Sequence, residues 1–392
     1  MKYCISVLLV GIVFVVIPAR AQSLFSGGSA DLRSYFFQRD FKDGRTDWEA
    51  FSVGGVLKGL LHPSEQINLG MSLYTSQGLG LNDDSKDVYS LLATDSAGDH
   101  KGYTSLGEAY IQAHYNSWIF RLGRQEIKTP WLNTHDVRMT PHSFDAVLLK
   151  WNVDQNSSIQ LCHAVEMKTR TEKKSRPMSE VAGAGGDKGV SCLGYEQEGE
   201  LSVQLWGYRV HELWDDLYMR LDYKPEGDNW YIVGRYLIRE SSGKQLVGIQ
   251  DSWHGGITAG HKTQYFEYAL SLSDTGNHTI RYHWGHATAI ANQVMVANRA
   301  EEQAIKLAVR FWPVVFPGVS FGLSYSLHDT PDSGGNQSVD LEEYNIDFKY
   351  ILNEWLPGAS LRLRHAYVNE DGLGEQDHTD SRMYLRYQFD LK

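Results

Sequence analysis

Ser320–His328 reads SFGLSYSLH. Phe321, Leu323, Tyr325 and Leu327 fall on one face of an extended chain, and Ser320, Gly322, Ser324 and Ser326 on the other. Strict period-two alternation of this kind marks a strand with two different environments. The pattern recurs in EYNIDFKYI (343–351), where Tyr344, Ile346, Phe348 and Tyr350 oppose Asn345, Asp347 and Lys349. In SLRLRHAYV (360–368), Leu361 and Leu363 oppose Arg362 and Arg364. In RMYLRYQF (382–389), Met383, Leu385, Tyr387 and Phe389 oppose Arg382, Tyr384, Arg386 and Gln388. The same rule along the chain predicts eighteen strands: 31–39, 47–61, 66–76, 106–115, 118–125, 144–152, 157–168, 188–196, 200–210, 217–224, 229–239, 264–273, 278–286, 303–312, 318–328, 342–351, 359–368 and 382–390. QLVGIQDSW (245–253) is ambiguous between strand and loop.

The connections divide into two kinds. Even-numbered ones are short, such as HPSE, NS, DQNS, QEG, PEGD and DTGN. Odd-numbered ones are mostly long: 77–105, 126–143, 169–187, 240–263, 287–302, 329–341 and 369–381. A soluble sandwich has no reason to sort its loops by parity. A transmembrane antiparallel β-barrel does, with short periplasmic turns and long external loops. The polar face also discriminates. A small barrel fills its interior with side chains, whereas about sixteen to eighteen strands leave an aqueous channel. Apolar residues would then meet lipid and polar ones water, with ladder closure satisfying the backbone. Tyr, Trp and Phe near strand ends suit interfacial girdles.

The N-terminus fits an exported protein. Lys2 precedes an apolar run from Ile5 to Ile17, and Ala19-Arg20-Ala21 is a small-x-small cleavage site. Residues 1–21 read as a secretory signal peptide and 22–392 as a single barrel domain. The run is too short for a comfortable membrane anchor. Cys4 precedes it and is no lipid-anchored cysteine. The chain carries 48 acidic and 37 basic residues. Removal of Lys2 and Arg20 with the leader takes the net charge from −11 to −13. That sign disfavours nucleic-acid binding.

Charge is distributed unevenly. The stretches 77–105, 329–341 and 369–381 are rich in acids, Asp380 among them, and hold only Lys86 and Lys101 as basic residues. Polar-face strand positions carry Arg33, Arg121, Arg209, Arg220, Arg235, Arg281, Lys306, Arg310, Arg362, Arg364, Arg382 and Arg386. If strand 1 closes on strand 18, Arg33, Arg362, Arg364, Arg382 and Arg386 share a wall. They either pair with inward acids such as Glu108, Asp222, Glu267 and Asp347 and brace it, or form a ladder of unpaired guanidinium groups. A guanidinium fork binds carboxylate bidentately and keeps its charge, so a ladder would select anions.

Other chemistry is thinly supported. Gly-x-Ser-x-Gly occurs as GVSFG (318–322), but it runs into an alternating strand pattern and not into a strand-to-helix turn, which leaves a barrel hydrolase as the weaker rival. His283 and His286 would sit on opposite faces of a strand, unsuited to joint metal ligation. GAGGDKG (183–189) lacks the Lys-Ser/Thr of a phosphate loop. No cofactor, metal or energy source is implied. Cys162 and Cys192 share the polar face by parity and are candidates for a disulfide in an oxidising compartment.

LRSYFFQRDFKDGRTDWEAFSVGG (32–55) resembles the opening of OprD-type outer-membrane porins. LGRQEIKTPWLNTHDVRMTPHSFDAV (122–147) resembles their third loop, and LRLRHAYVNEDG (361–372) with RMYLRYQF (382–389) their last two strands. The resemblance implies an eighteen-strand barrel, a monomer or loose homotrimer, with the third external loop folded inward to narrow the pore. It places Arg33, Arg39, Arg124, Asp136 and Arg138 in matching motifs. With Arg310, Arg362, Arg364, Arg382 and Arg386 these are the expected constriction and substrate path. Trp131, His135, Asp136 and Arg138 would line the constriction. The expected function is facilitated diffusion of small anionic or zwitterionic solutes (carboxylates, amino acids) across the bacterial outer membrane, with a general non-selective porin as the alternative. Outer-membrane lipid, lipopolysaccharide and the barrel assembly machinery are the implied partners. Such barrels usually end on an aromatic residue, but here Asp390-Leu391-Lys392 follow Phe389.

Overall fold

The structure, a computed structural model, describes residues 25–83, 86, 91–285, 287–331, 340–371 and 377–391. The expected leader, Cys4, His286 and parts of the acidic stretches (Asp84, Asp87, Asp332, Glu375) lie outside the described residues.

Eighteen strands form the wall. They are β1 (Phe25–Phe41), β2 (Trp48–Ser64), β3 (Ile67–Gln77), β4 (Tyr103–Tyr115), β5 (Trp118–Gln125), β6 (Ser143–Asn152), β7 (Ser157–Lys168), β8 (Val190–Gln197) and β9 (Leu201–Val210). Then follow β10 (Trp214–Tyr223), β11 (Trp230–Ser241), β12 (Ser252–Lys262), β13 (Phe266–Thr275), β14 (Gln303–Phe311), β15 (Val319–Asp329), β16 (Asp340–Ile351), β17 (Ala359–Asp371) and β18 (His378–Leu391). Each pairs antiparallel with its neighbours. The cylinder closes through β1 and β18, in register from Gly28↔Leu391 to Phe41↔His378. Closure leaves no sheet edge, which hydrocarbon demands. Among the described residues no helix is long and apolar enough to cross a membrane; the strands make the crossing.

The side chains follow the period-two rule with the usual polarity reversed. On β3, Leu69, Met71 and Leu73 point outward, Met71 being 60% exposed, while Gly70, Ser72 and Tyr74 alternate with them on the buried face. Several inward glycines receive a ring from the next strand. A Cβ at Gly70, Gly107 or Gly194 would fall within 2.2 Å of Tyr110, Tyr74 or Trp206, respectively. These pairs cover backbone that a glycine would leave bare.

Cys162 on β7 stands directly opposite Cys192 on β8, Cα atoms 5.1 Å apart, in a buried disulfide. Peptide mapping of denatured, unreduced protein should find both blocked to alkylation. Two free thiols at these positions would refute the bond.

The strand count agrees with expectation through two compensating errors. HTIRYHWGH (278–286), expected as a strand, belongs to a long connection, 276–302, between β13 and β14. Its alternation is real, but Ile280 and Trp284 are buried in a cluster with Trp206, Trp214 and Leu237 of the inward wall, not set against lipid. Arg281 is therefore no wall residue. The missed strand is β12. Its Gly255, Gly256 and Gly260 dilute the apolar alternation carried by Trp253, Ile257 and Ala259. Arg209, expected on the polar face, points outward and pairs with Asp215 near the rim. Asp380, read as part of an acidic loop, is a buried wall residue of β18.

Candidate functional site

β1, β17 and β18 bring the expected arginines together because their inward positions fall in register. Arg33 faces Arg386, Tyr35 faces Tyr384, and Arg362 faces Tyr384 on the other side. Arg364 lies opposite both Arg382 on β18 and Asp347 on β16. Two adjoining cavities of about 350 and 180 Å³ share Arg362 and Arg364. Of the expected residues, Arg33, Asp136, Arg138, Arg310, Arg362, Arg364 and Arg386 line them. Arg39, Arg124 and Arg382 do not. Arg39 donates to Asp380 on β18. Arg124 is held by Asp145 on β6, at 2.9 and 2.7 Å. Arg382 is buried against Asp380 and donates to the Gln293 carbonyl at 2.9 Å.

Most of these guanidinium groups have carboxylate partners, contrary to a fully unpaired ladder. Arg33 bonds Asp31 and Asp136. Arg386 bonds Asp31, with Nε at 2.7 Å. Arg362 grips Asp347 with both nitrogens, and Arg310 reaches the same carboxylate at 3.3 Å. Glycine at 322, between Arg310 and Asp347 in the register, leaves that reach open. Arg364 and Lys349 form no ion pair among the described residues, and the Arg364 Nε is buried without a hydrogen-bond partner. The two linings hold eight cations (Arg33, Arg138, Lys306, Arg310, Lys349, Arg362, Arg364, Arg386) against three acids (Asp136, Glu267, Asp347). The wall is braced by pairing and still basic.

The connection between β5 and β6, residues 126–142, lies against this wall at its tip. Asp136 receives Arg33 Nη2 at 2.8 Å, and the Arg138 carbonyl receives Nη1 at 2.8 Å. Its base is packed elsewhere. Trp131, expected in the constriction lining, is buried, stacks on Tyr282 at 4.7 Å between ring centroids, and its backbone N–H donates to Tyr208 Oη at 3.3 Å. Arg239 lies near the Trp131 ring and over that of Trp214, bound to Asp216 at 2.7 and 2.9 Å. Burial drives His142 well below its ordinary pKa, and His283 down to about 4. Both are neutral at physiological pH, so they add nothing to the positive charge.

The connection 276–302 supplies cavity-lining residues that sequence reading missed. From β13 it runs along the inner faces of β14–β18. Lys306 donates to the Ala291 carbonyl at 2.9 Å, and Asn292 donates to Ser326 at 2.6 Å. Glu343, fully buried, accepts the backbone N–H groups of Gln293, Val294 and Met295 at 2.9, 3.0 and 2.6 Å. Gln293 reaches Asp380 at 2.7 Å. Ala291, Asn292 and Gln293 thus form one side of the larger cavity. At its start the same connection meets the β5–β6 segment, where Asn133 N–H donates to the Trp284 carbonyl at 3.2 Å.

An eighteen-strand closed barrel with an apolar outer face and a basic, cavitied inner wall is a transmembrane channel of the porin class. The sequence profile of the outer membrane porin OprD family matches residues 26–391, and the chain belongs to that family. It is a porin of the bacterial outer membrane, a passive channel and not an enzyme. Solved structures repeat the fold. Pseudomonas aeruginosa OccK9 (OpdG) superposes with a TM-score of 0.84 at 19% identity, covering 93% of this chain and 98% of that one. Acinetobacter baumannii OccAB3 gives 0.84 at 16%, covering 93% and 99%. P. aeruginosa OpdK, crystallised with vanillate, gives 0.82 at 16%, covering 93% and 98%. At such identities the likeness speaks to the fold alone. No curated protein matches the sequence.

Proposed function

We propose that this porin favours small anionic or zwitterionic solutes, carboxylates foremost, moving by facilitated diffusion. The observation that carries the reading is the excess of cations over acids around Arg362 and Arg364, with Arg364 and Lys349 lacking carboxylate partners among the described residues. A solute carboxylate would be held there bidentately but weakly, since neighbouring guanidiniums are already paired, and several weak sites allow release. The tip of the β5–β6 segment, with Asp136 and Arg138 against Arg33, narrows the path beside this wall. The aromatic carboxylate crystallised with OpdK is in keeping with this chemistry. Residues 1–21 serve as the cleaved leader, lipopolysaccharide surrounds the outer end, and the barrel assembly machinery inserts the chain.

Planar-bilayer recording under a potassium chloride gradient tests the proposal. The native channel should show an anion-selective reversal potential and current block by benzoate. Replacing Arg362 and Arg364 together by Gln should move the reversal potential toward zero. An unchanged potential refutes the assignment. A general porin with only a size limit is the second reading, favoured by the extensive arginine pairing. It requires an unselective native channel that benzoate does not block.

A further inference from the structure

The short turns change chemistry around the periplasmic rim. Those at 65–66, 116–117, 153–156, 198–200 and 224–229 are built mainly from Glu, Gln, Asn, Ser, Asp, Lys and Gly. On the arc from β12 to β17 the turns are TQY (263–265), WPVVFPG (312–318) and LNEWLPG (352–358). Val314, Val315, Phe316 and Trp355 are 71%, 81%, 64% and 80% exposed. The three turns adjoin: Trp312 N–H donates to the Tyr265 carbonyl at 2.7 Å, and Ile351 N–H to the Gly318 carbonyl at 2.9 Å. They form one apolar surface on the side that would otherwise face periplasmic water.

An exposed apolar patch of this kind marks a membrane or protein contact. Continuity with the lipid-facing wall selects the membrane. Just above the turns, Phe266, Phe311, Phe321 and Phe348 stand in successive register across β13 to β16, a row of rings at the foot of the barrel's apolar belt. The belt therefore runs down this arc onto the turn tips, where Gln264, Asn353 and Glu354 are the exposed polar residues among the apolar ones. The tips protrude, Val315 and Trp355 foremost. Lys262 lies at the same level, its Nζ 5.5 Å from the Trp312 ring centre and 3.7 Å from the inward Glu267 carboxylate, so it belongs to the inner wall and not to the outer arc. Aromatic rings such as these suit the headgroup level of a bilayer.

We propose that this arc is a membrane-entering skirt: the turns at 312–318 and 352–358 insert into the phospholipid inner leaflet of the outer membrane, and the barrel leans toward its β12–β17 side.

The test is nitroxide labelling of Val315→Cys and Trp355→Cys, with Glu226→Cys in the polar turn 224–229 as reference. The proteins are reconstituted in phospholipid vesicles, and the unsubstituted protein serves as labelling blank. All three positions lie on turn tips, and heat-modifiable mobility confirms folding. Positions 315 and 355 should be several-fold more accessible to oxygen, relative to a nickel chelate, than position 226. Equal ratios at all three would place the turns in water and overturn the proposal. Low accessibility to both reagents, with dipolar broadening between labelled copies, would overturn it in favour of a contact between barrels.

Discussion

Glu343→Ala should raise single-channel conductance and bring on open-channel noise while leaving the barrel folded. Glu343 holds the 276–302 connection by three backbone N–H groups with no water between. A hydrogen bond to a charged group contributes about 1.5–3 kcal/mol, and an unmade buried one costs about as much. Loss of all three removes about 4.5 kcal/mol or more of the seat at Gln293, over three powers of ten in its occupancy. The strand ladder of β16 is backbone-made and unaffected. Glu343→Gln retains one acceptor oxygen and should fall between. A quiet Glu343→Ala channel of native conductance would show that other contacts seat the connection unaided.

Asp216→Ala should lower the temperature of the heat-modifiable transition and leave the β5–β6 segment open to proteolysis. Arg239 and Asp216 are both nearly inaccessible and joined by two hydrogen bonds. Removing one partner leaves a buried charge unpaired, which costs about 3–5 kcal/mol. Trp131 lies close to that guanidinium and anchors the base of the segment whose tip carries Asp136. Asp216→Ala combined with Arg239→Met should recover much of the loss, since an apolar replacement of a buried pair is often neutral. If the single substitution leaves melting and proteolysis as they were, Arg239 is not what fixes Trp131.

The wall of this porin was more legible than its filling. Parity alone put Arg33, Arg362, Arg364 and Arg386 on the inner face, because one-residue alternation is a property of the extended chain. Their pairing was legible in part: Asp347, an expected inward acid, holds Arg362 and Arg310, whereas the role of Asp31 was hidden. Asp31 lies only two residues from Arg33, yet its bonds to Arg386 depend on which strands meet at closure. Asp380 sits beside acids of a loop in sequence and between Arg39 and Arg382 in space. The 278–286 error has the same origin. Alternating Ile280, Tyr282 and Trp284 mean burial on one side, and period two does not say whether the apolar medium is lipid or a core inside the barrel. The inward packing of Trp206, Trp214 and Leu237 supplies that core. The β5–β6 segment stood out by its length and its likeness to the third loop of the family; that Trp131 anchors its base while Asp136 meets the wall needed three-dimensional partners.

The clasp on the 276–302 connection also sets an order of construction. Gln293 is fastened by Glu343 of β16 and by Asp380 and Arg382 of β18, residues that follow it in the chain by 50, 87 and 89 positions. Its berth does not exist until the last strand stands beside β17, and that same strand zips to β1. A chain whose last strand has not yet been added therefore carries an undocked connection, whatever the rest of its wall has become.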